Sequence, residues 1–190
     1  MRISAGQLKG RKVADRRVFD KAGQGELRPT SSKVREALFD ILRNDIRDSL
    51  FLDLYAGTGA VGFEALSRGA SRAVFVEADR NLSKEILDSI RKMGVEGMTE
   101  VHTEEAGLFL KRAARIGASF DIIFVDPPYA SDEIEKALPL IGESGIIREG
   151  GHLIVEHPAK KILPQDLPSL TLIKQYKYGD TRLTRYRKGT

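Results

Sequence analysis

The chain has 190 residues, 41% apolar and 31% charged, with a mean hydropathy of −0.28, which is the profile of one globular domain able to bury roughly 70% of its unfolded surface. It has no cysteine, which excludes disulfide frameworks, cysteine nucleophiles and Cys-type zinc sites, and its three histidines, His102, His152 and His157, lack the HExxH spacing of a zinc protease. No apolar run approaches the roughly 18 residues of a membrane span, and MRISAGQLKG lacks the apolar centre of a signal peptide, so a soluble cytoplasmic monomer without a metal is expected.

In chain order, the segments RISAG and RKVAD around Gly6 and Gly10 predict a small N-terminal hairpin, and residues 20–29 read as a loop. A helix follows, capped by Thr30 or Ser31 and running to about Leu42, with Val34, Leu38 and Ile41 facing inward. From Leu50 onward, short β-branched and aromatic runs at 51–55, 73–77, 99–103, 120–126 and 150–156 alternate with helical patterns at 60–67, 82–93, 106–116 and 134–141. In the second of these helices Leu82, Ile86, Ile90 and Met93 share one face. Strand and helix in alternation imply a parallel sheet covered on both sides, because each parallel pairing needs a crossover. The expected fold is therefore a doubly wound, Rossmann-like α/β sheet. The runs at 170–178 and 183–187, joined through Gly179-Asp180-Thr181, add an antiparallel hairpin at its edge. Residues 1–45 form a basic extension that is not independent, and 46–190 form the main domain.

The net charge of +4 conceals an uneven distribution. Residues 1–35 hold ten Lys and Arg against three acids, residues 170–190 hold six against one, and the middle holds 15 against 23. Two basic ends flank an acidic body. Solvated termini often collect such residues, and a clustered basic face also neutralises phosphates and releases counterions; charge alone leaves both readings open.

After the first core strand, residues 57–62 read G-T-G-A-V-G, and the acid Glu77 closes the next strand 20 residues beyond Gly57. Glycines let the backbone turn tightly against a ligand, the following helix offers free N–H groups, and a carboxylate at this distance accepts ribose hydroxyls. NAD and S-adenosylmethionine fit this geometry equally. Two features favour the second. Asp53, inside the strand, needs a cationic or multiply donating partner to offset its desolvation, and the α-ammonium of a methionine moiety is one. The chain also has no length for the substrate domain that a dehydrogenase usually adds.

The fourth core strand ends in Asp126-Pro127-Pro128-Tyr129, at the carboxyl edge where open α/β sheets bind ligands. The two prolines fix φ and carry no N–H, so the turn presents stiff acceptors. An exocyclic amine on a purine is a poor nucleophile because its lone pair is delocalised. A carboxylate and a proline carbonyl accepting its two hydrogens favour a pyramidal nitrogen whose lone pair points at a sulfonium methyl. Tyr129 supplies a face for the base, and a carboxylate with the ordinary pKa of about 4 is ionised and able to take the proton.

The stretch DLYAGTGAVGFEALSRGA with FVEAD resembles the cofactor half of class I S-adenosylmethionine-dependent methyltransferases, and DPPY resembles their amino-group subset. MRISAGQLKGRK, RPTSSKVREALFDIL, the VEH triplet at 155–157 and YKYGDTRLTRY are similar to the bacterial 16S rRNA guanine-N2 methyltransferases, from Met1 to about Tyr186. The resemblance implies methyl transfer to a guanine N2 amine of 16S rRNA in the small ribosomal subunit. It implies cofactor contacts at Asp53, at Tyr55, Ala56, Gly57, Thr58 and Gly59, and at Glu77 and Ala78. It adds Glu105 and Ala106, where relatives commonly carry Asp-Ala or Asn-Ala. Asp126, Pro127, Pro128 and Tyr129 form the catalytic turn, and Arg28, Thr30, Lys33 and Arg35 are the candidates for RNA contact. His157 reads as a structural histidine. A DNA adenine-N6 enzyme, a protein glutamine methyltransferase and a non-catalytic RNA-binding assembly factor are the alternatives.

Overall fold

The computed structural model describes residues 1–13, 31–129 and 131–189. Its strands are β1 Leu50–Asp53, β2 Arg72–Val76, β3 Thr99–His102, β4 Phe120–Val125, β5 Ile147–Pro158, β6 Asp166–Leu167, β7 Leu170–Tyr178 and β8 Thr181–Lys188. They form one sheet in the order β3-β2-β1-β4-β5-β8-β7-β6. The first five strands in that order are parallel, and the last three join antiparallel. The chain winds outward from β1 through β2 to β3 and then returns to β4 on the other side of β1. This reversal opens a crevice at the carboxyl ends of β1 and β4, where Asp53 and Asp126 stand.

The helices are α1 Ser32–Ile41, α2 Ala60–Ser67, α3 Arg80–Met93, α4 Ala106–Arg115 and α5 Glu133–Ser144. Helices α1, α2 and α3 cover one face, where Leu38, Val61 and Ile86 join clusters with Phe51, Phe75, Phe124 and Ile154. Helices α4 and α5 cover the other, with Phe109, Leu110 and Ile141 packed on Leu52, Ile123 and Val155. Each such side chain, fully buried, contributes roughly 1.5–3 kcal/mol. Helix α3 follows the sequence pattern closely. Asp79 caps it by accepting from the Asn81 and Leu82 N–H groups, Leu82, Ile86, Ile90 and Met93 are buried, and Gly94 ends it in the left-handed region. Helix α2 is buried at every position, as a helix must be when it lies under the N-terminal segment as well as on the sheet.

The structure amends several expectations. The small N-terminal hairpin is present, with the Arg2–Lys12 bridge flanked by Ile3 N–H to Arg11 O, Gly10 N–H to Ile3 O and Val13 N–H to Met1 O, and it is tied to α2, since Ser4 and Ala5 N–H donate to Glu64 and Gln7 N–H donates to Ser67 O. Ser31 caps α1 by accepting from Val34 N–H, and Val34 and Leu38 are buried as expected. Ile41 is only half-buried, however, and Phe39 and Arg35 take the interior positions. The loop expected at 20–29 lies outside the described residues. In the C-terminal hairpin the turn is Gly179-Asp180 alone, with Thr181 already paired to Tyr178. Its second arm, β8, is the one that pairs with β5, which brings Thr181 opposite Pro158 at the carboxyl edge. The two-residue strand β6 carries no signal in the sequence.

Candidate active site

Asp53 ends β1 and is 2% exposed. Its Oδ2 accepts from Gly62 N–H at 2.9 Å. Burial first, then the charges of Asp126 and Glu77, push its carboxyl up to about 7 despite that bond. Among the described residues no lysine, arginine or histidine forms an ion pair with it, so an incoming cation is what this position lacks. The loop that follows is shaped by two glycines with different tasks. Gly59 takes φ 76 as the residue before α2, and a Cβ on Gly62 would lie 2.2 Å from the Phe75 ring, so Gly62 lets the helix sit against β2. At Gly57, φ is 54 and nothing stands within 4 Å of where a Cβ would be, so the backbone there borders open space.

Glu77, half-buried just beyond β2, faces this loop. Its Oε2 accepts from Gly57 N–H at 2.7 Å and its Oε1 from Asp79 N–H at 2.8 Å. Desolvation raises its pKa against those bonds. Ala56 and Thr58 are buried and Ala78 is exposed beside Glu77. Tyr55 donates to Glu133 Oε2 at 3.1 Å, which links the loop to α5. Glu105 and buried Ala106 lie where β3 gives way to α4. Glu105 is exposed and makes no capping bond, whereas Glu104 is held by Arg112.

The turn after β4 buries Pro127 and exposes Pro128 and Tyr129, the latter by 37%. Pro128 O accepts from both the N–H (3.0 Å) and the hydroxyl (2.6 Å) of Ser131, so the turn closes through that carbonyl. Tyr129 OH lies 2.8 Å from Thr181 Oγ1 and donates to Glu156 Oε1 at 3.3 Å. Burial, with the charges of Glu156 and Asp126, pushes the phenol up to about 12. Glu156 and Thr181 thus join the site although sequence reasoning gave neither a role. Only the pairing of β5 with β4 and β8 brings them to Tyr129. His157 is fully buried, its Nδ1–H donates to Pro158 O at 3.0 Å, and Nε2 accepts from Thr184 Oγ1 at 2.7 Å. Burial lowers its pKa, which fits a neutral structural histidine.

The RNA candidates divide. Arg28 and Thr30 lie outside the described residues. Lys33 lines an open groove of about 650 Å³ between α1 and β7, with Tyr176 and Tyr178 opposite. Arg35 is a correction: it is 3% exposed, its Nη2 donates to Arg2 O at 3.1 Å, and its Nε lies 3.6 Å from Glu64. Its helix face turns inward, so it holds the N-terminal segment and does not meet solvent. Glu64, missed in the sequence, is the hub of that contact. It accepts from Ser4 N–H, Ser4 OH, Ala5 N–H and Arg68, which together lower its pKa against the desolvation that raises it.

An open sheet that reverses between β1 and β4, with a glycine loop after β1, an acid after β2 and an Asp-Pro-Pro-Tyr turn after β4, is the architecture of class I S-adenosylmethionine-dependent methyltransferases. The sequence sets it within that class. Residues 1–187 match the model of the family described as "Conserved hypothetical protein 95", and the chain belongs to that family. It is 32% identical over 189 residues to the Bacillus subtilis (strain 168) protein described as "Putative rRNA methyltransferase YlbH", covering 99% of each chain. It is 37% identical over 164 residues to "Ribosomal RNA small subunit methyltransferase D" of Escherichia coli (strain K12), covering 86% of this chain and 78% of that one. A solved structure, "Putative methyltransferase yhhF from Escherichia coli", superposes with a TM-score of 0.84 at 32% identity, over 100% of this chain and 98% of that one.

Proposed function

We propose that the chain transfers a methyl group from S-adenosylmethionine to the exocyclic N2 amine of a guanine in 16S rRNA, acting on the small ribosomal subunit as a cytoplasmic monomer. The observation that carries this reading is the placement of Asp126-Pro127-Pro128-Tyr129 one strand from Asp53, at the point where the strand order reverses.

Bound at this edge, S-adenosylmethionine supplies an electrophilic methyl on a cationic sulfonium. Asp53 holds the α-ammonium, whose charge returns the carboxyl to its ionised form. Glu77 accepts from the ribose hydroxyls, and the open backbone at Gly57 admits the ligand. Asp126 and the carbonyl of Pro127 accept the two amine hydrogens, Pro128 O being occupied by Ser131. That orients the nitrogen lone pair, and Tyr129 provides the stacking face. As the N–C bond forms and the S–C bond breaks, the amine becomes acidic and Asp126 takes its proton. A guanine stacked in a duplex does not present N2 to such a turn, so the target base enters from an unstacked position. Lys33 belongs to the surface that holds the RNA, and Arg28 and Thr30 are further candidates for RNA contact.

The test is methyl transfer from radiolabelled S-adenosylmethionine to small subunits lacking the modification, followed by mass mapping of the nucleosides. N2-methylguanosine at one position is the expected product. Label in adenine, in protein or nowhere refutes the reading.

A further inference from the structure

Three acidic side chains stand near the carboxyl ends of β1, β4 and β5, and only two have been used so far. Asp53 ends β1. Asp126 and Glu156 each come one residue after the paired Val125 and Val155 of β4 and β5. Adjacent strands lie about 4.8 Å apart, so Asp126 and Glu156 stand level on neighbouring strands, while Asp53, paired with Phe124, lies two residues (about 6.6 Å) further back along the strand direction. Their direction is set by register. Asp53 pairs with Phe124, and Glu156 lies opposite Leu183; Phe124 and Leu183 both pack in the cluster beneath α1. Asp53 and Glu156 therefore project to that same face. Glu156 is 4% exposed, and its Oε1 accepts from Tyr129 OH, the hydroxyl of the residue that stacks the base. Thr181 Oγ1 shares that hydroxyl at 2.8 Å and fixes the ring from β8.

Resting on the guanine-N2 reading, we propose that Glu156 is the specificity-determining residue, its carboxylate accepting the N1–H of the target guanine while Asp126 and Pro127 accept the hydrogens of N2. Level on neighbouring strands, Asp126 and Glu156 offer adjacent acceptors to the adjacent donors of the base, the amine at Asp126 and the ring N1–H at Glu156, with the cofactor on the Asp53 side. An ionised carboxylate only accepts. It therefore pairs with guanine, which carries a hydrogen on N1, and opposes any base with a lone pair there. Leaving a buried acceptor facing a lone pair is what allows a site to reject an analogue strongly. Accepting N1–H also draws no proton from the ring; it raises electron density on the adjacent N2 that attacks the methyl.

The probe is small-subunit RNA carrying 2-aminopurine in place of guanine at the nucleotide found by mapping, since 2-aminopurine keeps the C2 amine but has a bare N1. The full-length enzyme is compared with Glu156→Gln and Tyr129→Phe by kcat/KM on both RNAs, with cofactor binding as the check of folding. The wild type is expected to prefer guanine by on the order of 10²-fold or more. Glu156→Gln keeps an acceptor for the Tyr129 hydroxyl but offers an amide that can donate to a bare N1, so the preference falls at least about tenfold. Tyr129→Phe slows both RNAs by the same factor. Equal use of the two RNAs by the wild type overturns the inference and leaves guanine methylation standing, whatever the variants do. Equal slowing of both RNAs by Glu156→Gln overturns it also, since that is the mark of a residue that only positions Tyr129. No transfer by the wild type to the RNA that carries guanine removes the underlying reading and the inference with it.

Discussion

The backbone N–H of Gly62 donates to Asp53 Oδ2 at 2.9 Å, joining the third glycine of the loop to the carboxylate buried at the end of β1. One neutral donor does not offset full burial beside two other acids, and the Asp53 carboxyl rises from 3.8 to about 7. The folded chain therefore holds a proton that the unfolded chain releases between those values. In that window this group lowers stability as pH rises, and below about pH 4 it exacts no penalty. Asp53→Asn is expected to melt several degrees above the wild type at pH 8 without cofactor, the difference vanishing by pH 4; thermal melts across the range decide it. A gap independent of pH would show that Asp53 is not the group concerned.

The same proton couples to ligand. With Asp53 as the proposed partner of the α-ammonium, which favours the ionised carboxylate, affinity for S-adenosylmethionine is expected to rise from pH 6 to pH 8, with proton release on binding near pH 7. Titration calorimetry in buffers of different ionisation enthalpy measures that release. Asp53→Asn binds the cofactor more weakly and releases none.

On the proposed mechanism, Asp126→Ala removes an acceptor needed only while the amine attacks. Turnover is expected to fall by on the order of 10²–10³, as for loss of one preorganised polar group. Cofactor affinity, measured separately by calorimetry, stays within about threefold. Full activity in this variant would refute the role of the turn.

Gly62→Ala drives a methyl to 2.2 Å from Phe75 Cε1. Overpacking of this kind costs about 1–3 kcal/mol, visible as a lower midpoint in denaturant. Trimming the ring with Phe75→Leu in the same chain recovers part of the loss, which an unrelated defect in the loop would not allow.

Arg35 and Lys33 sit two residues apart on α1 and are expected to behave oppositely. Arg35→Ala removes the donor to the Arg2 carbonyl and costs about 1–3 kcal/mol, Glu64 keeping Arg68 and Ser4 as partners, with the salt dependence of RNA binding unchanged. Lys33→Ala leaves the melting temperature unaltered but lowers the slope of log affinity against log salt by about 0.7–0.9, one phosphate contact. Binding of the wild type that is insensitive to a fourfold rise in salt would dismiss the electrostatic surface altogether.

The sequence by itself determined the fold class, the order of the core elements and the motifs from which the proposed chemistry is argued. Glycine and proline act locally, and the periods of 2 and 3.6 are written in the chain, so G-T-G-A-V-G, Asp53, Glu77 and D-P-P-Y were legible as they stand. Tertiary structure decided what depends on partners far along the chain. Arg35 reads as one more basic residue at a charged end until Glu64 and the Arg2 carbonyl, 33 residues away, take its guanidinium inside. Glu156 reads as a strand-end acid until the register of β5 against β4 and β8 sets it under Tyr129. A charge count gives the number of cations and anions. Which of them face water, which face each other and which face a ligand is fixed only when burial makes an unpaired charge too costly to leave alone.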